Sequence, residues 1–307
     1  MPLSPHRTII NFDQLLAEAK ALGPVPTAVV AAAEQHVIEA ALHAAQEGMI
    51  KPVLIGRRAD IEPLCQSLAC QFTILEADTV EHAAMLGVQE VKQGRAKLLI
   101  KGNLHTAEFL HPIVKELHGE GRISHIFIAE LSTYPKLLML TDAAINIAPD
   151  LMTKAAILRN AIELAHALGN PVPKVAVLSA IEDVSVAMAS TLDAAALAKM
   201  ADRGQFPAAV VDGPLAFDNA ISAEAASIKG IRSPVAGQAD ILLMPELVSG
   251  NILYKALEYL ANARFAGIVL GASVPVVLTS RTDSAQTKLN SIALARVAHA
   301  RMMAIGH

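Results

Sequence analysis

Short β-branched runs recur between Ala-rich stretches of helical periodicity along almost the whole chain, an alternation that predicts strand-helix units joined into a mainly parallel sheet. The predicted strands are residues 52–55, 72–75, 97–100, 125–129, 144–147, 175–178, 208–211, 241–244, 268–270 and 276–279. Between them the 3.6-residue period shows at Val37, Leu42 and Ala45, at Ile157, Ile162, Ala165 and Leu168, and at Leu289, Ile292, Ala293 and Val297. Ten strands exceed the usual content of one domain, and 307 residues suit two domains or one large α/β unit. The chain has no linker or repeat, and the crossing between domains is expected near residues 146–150. Apolar residues make up 53% of the chain but aromatics only 3%, so the core must be Ala, Val, Ile and Leu, which suits helices packed on a buried sheet.

The charge pattern narrows the partners. Twenty-five Lys plus Arg against 29 Asp plus Glu give a net charge of −4, with no basic stripe, so no nucleic acid is expected. The longest uncharged run, residues 265–280, is interrupted by Gly267, Gly271 and Pro275 and is shorter than the ~18 residues a membrane span needs. The opening Met-Pro-Leu-Ser-Pro-His-Arg has no apolar run resembling a signal peptide, so none is expected, and Cys65 and Cys70 are too few for a disulfide scaffold or zinc cluster. A soluble, cytoplasmic protein with two buried thiols is expected.

Ligands of open α/β sheets bind beyond the carboxyl ends of strands, and three predicted strand exits carry suitable groups. The first is Lys101, Gly102 and Asn103, with Thr106 at a helix start, where free amides suit a phosphate. The second is Gly250, Asn251, Tyr254 and Lys255, in which Asn251 and Lys255 share a helix face; a capped surface helix explains it equally well. The third is Ser280-Arg281-Thr282-Asp283-Ser284, where guanidinium, hydroxyls and a helix N-terminus together favour an anion. Its plainer reading is a set of N-cap residues beside a solvated arginine. Walker, Gly-x-Gly-x-x-Gly, His-Glu-x-x-His and Gly-x-Ser-x-Gly motifs are absent, and scattered histidines such as His82 and His166 read as structural.

Six ordered segments resemble the phosphate acetyl/butyryltransferase family: Lys101-Gly102-Asn103, the stretch from Asp212-Gly213-Pro214 to Asn219-Ala220, Ser233-Pro234-Val235-Ala236-Gly237, Met244-Pro245-Glu246, Gly250-Asn251-Ile252-Leu253-Tyr254-Lys255 and Ser280-Arg281. The resemblance implies two α/β/α domains with a cleft between them, similar to isocitrate and isopropylmalate dehydrogenases, the first being residues 1–143 plus 280–307 and the second 144–279, with the active site in the cleft. It also implies a homodimer or higher homo-oligomer that interconverts acyl-CoA plus phosphate with acyl phosphate plus coenzyme A, by direct thiolate attack. Coenzyme A is then a substrate, and neither a tightly bound cofactor nor a metal is expected.

By that likeness Ser280 stabilises the transition state and Arg281 holds the acyl phosphate. Lys101, Gly102, Asn103, Thr106, Gly250, Asn251, Tyr254 and Lys255 fall on substrate-binding motifs. Acetyl-specific members carry an aspartate seven residues after the serine, where this chain has Thr287, and Asp283 is the candidate thiol base in its place. Their arginine before a proline, associated with coenzyme A, is here His111 before Pro112. The tail from Thr279 to Ser291 is nearer the butyryl branch, which implies a butyryl group ahead of acetyl. Two other readings are an acyl-CoA or phosphate sensor on the same scaffold and a metal- and NAD-dependent decarboxylating dehydrogenase, although Asp212, Asp218 and Asp240 lack the clustering that the latter needs.

Overall fold

The computed structural model of the chain describes residues 7–117, 119, 121–280 and 282–305. In chain order the elements are α1 (Phe12–Ala21), β1 (Val25–Val30), α2 (Gln35–Gln46), β2 (Ile50–Gly56), α3 (Arg58–Ser67), β3 (Thr73–Glu76), α4 (Val80–Lys92), β4 (Leu98–Lys101) and α5 (Thr106–Glu116). They continue as β5 (Ser124–Glu130), β6 (Leu138–Thr141), α6 (Leu151–Ala167), β7 (Lys174–Leu178), α7 (Ala189–Asp202), β8 (Val210–Leu215), α8 (Phe217–Ile221) and α9 (Ala223–Ile228). The last are β9 (Ile241–Leu243), α10 (Leu247–Leu260), β10 (Arg264–Leu270), β11 (Val276–Val277) and α11 (Ala285–Ile305).

Two compact units result. One holds Phe12–Ile123 and resumes at Ala266; the other joins the stretch up to Asn11 to Ser124–Phe265. These divisions fall earlier in the chain than the expected 143/144 and 279/280, for reasons visible in the pairing. β6 lies beside β9, and Phe127 of β5 stacks on Tyr254 of α10 with ring centroids 3.9 Å apart, which keeps β5 and β6 with the residues that follow them. β11 pairs with β4 and so stays with the first unit.

The first unit is ordered β3-β2-β1-β4-β11-β10, parallel except that β10 runs antiparallel to β11. The second is ordered β5-β6-β9-β7-β8, parallel except for β5 against β6. The sheets are therefore mixed rather than parallel throughout. Val29, Leu54, Leu98, Leu99 and Val276 form a dry core in the first unit, as Leu140, Ala176, Leu242 and Phe265 do in the second. Helix α11 is buried on nearly every face from Leu289 to Ala298, because Ala at 293, 295 and 298 lets neighbours approach.

One strand expectation is corrected, and one strand was missed. Residues 144–147 are apolar and partly β-branched, but they form a turn because the Asp142 carboxylate accepts the N–H groups of Ala144 (2.8 Å), Ile145 (3.0 Å) and Asn146 (3.3 Å), leaving no donors for a ladder. The strand lies just upstream, as β6. Central strand β1 was not predicted: Pro26 reads as a strand breaker, yet the residue needs no donor there, and its carbonyl accepts the Lys97 N–H at 2.8 Å.

Candidate functional site

In the first unit the register decides what the strand exits present. Val277 of β11 sits opposite Ile100 of β4, so the chain leaving β11 emerges beside Lys101. Ser280 is exposed on a short turn whose backbone is clasped by Asp283: the carboxylate Oδ2 accepts the Ser280 N–H at 2.7 Å, and the Asp283 N–H donates to the Ser280 carbonyl at 3.2 Å. The hydroxyls of Ser280 and Thr282 lie 2.9 Å apart, and the Thr282 N–H donates to Ser280 Oγ at 3.3 Å. Asp283 is not the cap of α11. Ser284 takes that place, its Oγ accepting the Thr287 N–H at 3.0 Å, so the Asp283 carboxylate is left to the turn. Arg281 lies outside the described residues.

Asp283 is 9% exposed and lines a cleft of about 370 Å³ with His36, Glu39 and His43 of α2 and Lys288 of α11. The Glu39 carboxyl is held below its ordinary range, mainly by the Gln35 amide, then by His36, with the Lys288 charge adding to them. Lys288 escaped the sequence reading. Its signal is spacing, since Ser284 and Lys288 are four apart and share a face of α11.

Lys101 closes β4 and is buried, with its Nζ 3.4 Å from the Gly102 carbonyl. The glycine serves close approach, as its type suggested, but the partner is the protein itself. Gly102 and Asn103 donate their N–H groups to the carbonyls of Val30 and Ala31, each at 2.8 Å, and a Cβ at Gly102 would fall 2.3 Å from the Ala31 oxygen. Thr106 opens α5 without capping it; His105 holds the cap position, and its N–H donates to the Glu108 carboxylate at 2.9 Å. Asn103 is exposed and lines another cleft, of about 450 Å³, with Arg57 and Asp78.

In the second unit, Glu246 caps α10 by accepting the Val248 and Ser249 N–H groups at 2.7 and 2.8 Å. Burial opposes its charge, but those donors outweigh it and hold the carboxyl below its ordinary range. Gly250 is buried where a Cβ would stand 2.8 Å from the Asp142 carbonyl, and Asn251 Nδ2 donates to the Ala143 carbonyl at 3.1 Å. Tyr254 is 6% exposed, stacked on Phe127 with its edge toward Phe265; Lys255 is exposed. Asp142 organises this end of the unit and was also missed in the sequence. Besides the three turn amides, its carboxylate accepts the His125 N–H at 3.3 Å and Asn146 Nδ2 at 2.6 Å, a fully donated buried carboxylate. An Asp leaving a strand four residues before an Asn is the local pattern that could have revealed it.

The strand exits thus differ in chemistry. The turn at 280–283 offers an exposed hydroxyl beside a carboxylate and a helix start, with Lys101 and Lys288 near it, which suits an anionic substrate and a proton transfer. No group of three or more metal-ligating side chains occurs among the described residues.

Comparison with known proteins gives a consistent result. The profile of the family described as phosphate acetyl/butaryl transferase matches residues 67–296. A phosphate acetyltransferase of Rhizobium meliloti is 46% identical over 300 residues, covering 96% of this chain and 95% of the relative. A phosphate butyryltransferase of Clostridium beijerinckii is 40% identical over 297 residues, covering 95% and 98%. Among solved structures, a branched-chain phosphotransacylase from Enterococcus faecalis superposes with a TM-score of 0.78 at 32% identity, covering 88% of this chain and 98% of that one.

Proposed function

The chain belongs to the phosphate acetyl/butaryl transferase family, and from that premise we propose that the turn at 280–283 carries out its acyl transfer. The protein is a phosphate acyltransferase that interconverts acyl-CoA plus phosphate with acyl phosphate plus coenzyme A. In the direction of thioester formation, coenzyme A thiolate attacks the acyl carbonyl, a C–S bond forms, the C–O bond to phosphate breaks, and the electron pair leaves with the phosphate. Asp283 takes the thiol proton, the Ser280 hydroxyl donates to the developing oxyanion, and Arg281 with Lys101 holds the phosphate. No protein nucleophile is required. The proposal carries with it the arrangement of two α/β/α domains similar to isocitrate and isopropylmalate dehydrogenases, a cytoplasmic setting and a homodimer or higher homo-oligomer.

The observation that supports this reading most is the clasp of Asp283 on Ser280. It holds a carboxylate on the backbone of the residue that carries an exposed hydroxyl, within one short turn, while Ser284 relieves Asp283 of capping. Gly250, Asn251 and Tyr254 fit a supporting role better than direct contact, since each is engaged with its own unit.

The test is thiol release and arsenolysis with acetyl, propionyl and butyryl phosphate. Turnover of at least one is expected, and no turnover with any removes the enzymatic reading. Asp283→Asn is expected to lower kcat by ~100-fold or more, the usual cost of losing a general base. A kcat within a few-fold of wild type would leave Asp283 as a clasp only.

A further inference from the structure

A small cavity beside the turn has a lining unlike that of the clefts around it. It holds about 20 Å³ and is walled by Val37 and Ala40 of α2, Ile100 of β4 and Val277 of β11, all apolar. Its polar lining comes from Lys101, Thr279 and Lys288, where the strands give way to the turn that carries Ser280. Free phosphate has no use for an apolar wall, and an uncharged hydrocarbon little for lysines and a hydroxyl in its lining. A molecule with a short apolar end and an anionic head satisfies both.

Ala40 and Lys288 also line the cleft of about 370 Å³ that contains Asp283, so the two cavities share walls. An acyl carbon at their boundary would have its chain in the small cavity, its phosphate between the lysines and the thiol arriving from the side of Asp283. We propose that this pouch receives the acyl chain of the acyl phosphate, with Val37 and Ala40 limiting its length and Lys288 joining Lys101 at the phosphate. The inference rests on the acyl-transfer reading above and names the chain length that reading leaves open. A volume of about 20 Å³ holds roughly one water-sized group, so a methyl is accommodated as the cavity stands, whereas a three-carbon tail requires Val37 or Ala40 to give way. The acyl group of choice is acetyl, in contrast to the butyryl group that the tail after Thr279 suggests.

The experiment compares kcat/KM for acetyl, propionyl and butyryl phosphate in wild type, Val37→Ala, Ala40→Val and Lys288→Met. Val37 and Ala40 are both part-exposed positions of α2, and thermal unfolding monitored by circular dichroism checks that each variant is folded. Wild type is expected to favour acetyl over butyryl phosphate by ~10-fold or more, since one methylene is worth about 10- to 200-fold in a fitted apolar pocket. Val37→Ala should raise the butyryl-to-acetyl ratio by ~10-fold and Ala40→Val should lower the propionyl-to-acetyl ratio by a similar factor. Lys288→Met should raise KM about tenfold for all three alike, through loss of one charge-assisted contact, and leave the ratios unchanged.

An active wild type that prefers butyryl phosphate overturns the pouch, as do chain-length ratios within twofold of wild type in both α2 variants. An unchanged KM in Lys288→Met removes that lysine from the phosphate. Inactivity of wild type toward all three substrates removes the reaction and the pouch together, so the two failures are told apart by the wild-type measurement alone.

Discussion

The turn at 280–283 and the start of α10 at 246–255 carry equally recognisable motifs, yet they use their side chains in opposite ways. At the first, a carboxylate accepts a backbone N–H beside an exposed hydroxyl. At the second, a glycine, an amide and an aromatic ring are turned toward the protein's own turn and core. A residue pattern therefore marks a place of consequence without saying whether chemistry or packing is the reason. Burial and hydrogen-bond partners make that distinction.

Substitutions at four positions test this contrast. Tyr254→Ala should have the largest effect: it removes a buried ring held between Phe127 and Phe265 and is expected to cost about 3–5 kcal/mol in urea unfolding, with Tyr254→Phe far milder. If Tyr254→Ala instead kept its stability and lost activity, α10 would belong with the chemistry. Ser280→Ala should do the converse, lowering kcat by ~100- to 1,000-fold, as removal of one oxyanion donor does, while leaving the urea midpoint in place. A destabilised Ser280→Ala with near-normal turnover per folded molecule would reverse the comparison.

Asn251→Ala leaves the Ala143 carbonyl without its side-chain donor and should cost about 1 kcal/mol of stability, with kcat within a few-fold of wild type. A raised KM at unchanged stability would instead put the amide on substrate. The smallest effect concerns pH. Because the folded Glu246 carboxyl is held below its ordinary value of 4.5, its charged form stabilises the folded protein above that value, and the contribution is lost as pH falls through the lowered one. Glu246→Gln should flatten the acid limb of unfolding midpoints against pH, and an unaltered slope would show that the cap is not electrostatic.

Much of the alternation was legible because strands such as β4, β7 and β9 are short, almost wholly buried apolar runs, and burial of that kind is written directly into composition. β1 was not, because Pro26 breaks the local pattern while costing nothing at that position. The run at 144–147 looked like a strand because hydropathy does not register a carboxylate two residues upstream that captures its amides. In the candidate site, the pairing of Ser280 with Asp283 was within reach of the sequence because a turn is local. Lys288 was passed over because it reaches the same place only through the pitch of α11. Gly102 was read correctly as a point of close approach, but one sequence position cannot name what approaches it, and the partner proved to be the end of β1.

The clasp between Asp283 and Ser280 also bears on how a sequence of this kind can change over generations. The Asp283 carboxylate and the Ser280 backbone close a hydrogen-bonded ring, so the spacing of the two residues is fixed by counting residues rather than by the packing of distant elements. One inserted or deleted residue between them opens the ring and misplaces both groups at once, whereas point changes outside it can be absorbed elsewhere in the chain. Paired substitutions at the two positions should then cost little more than the worse of them alone, because the first already dissolves the unit that the second would disturb.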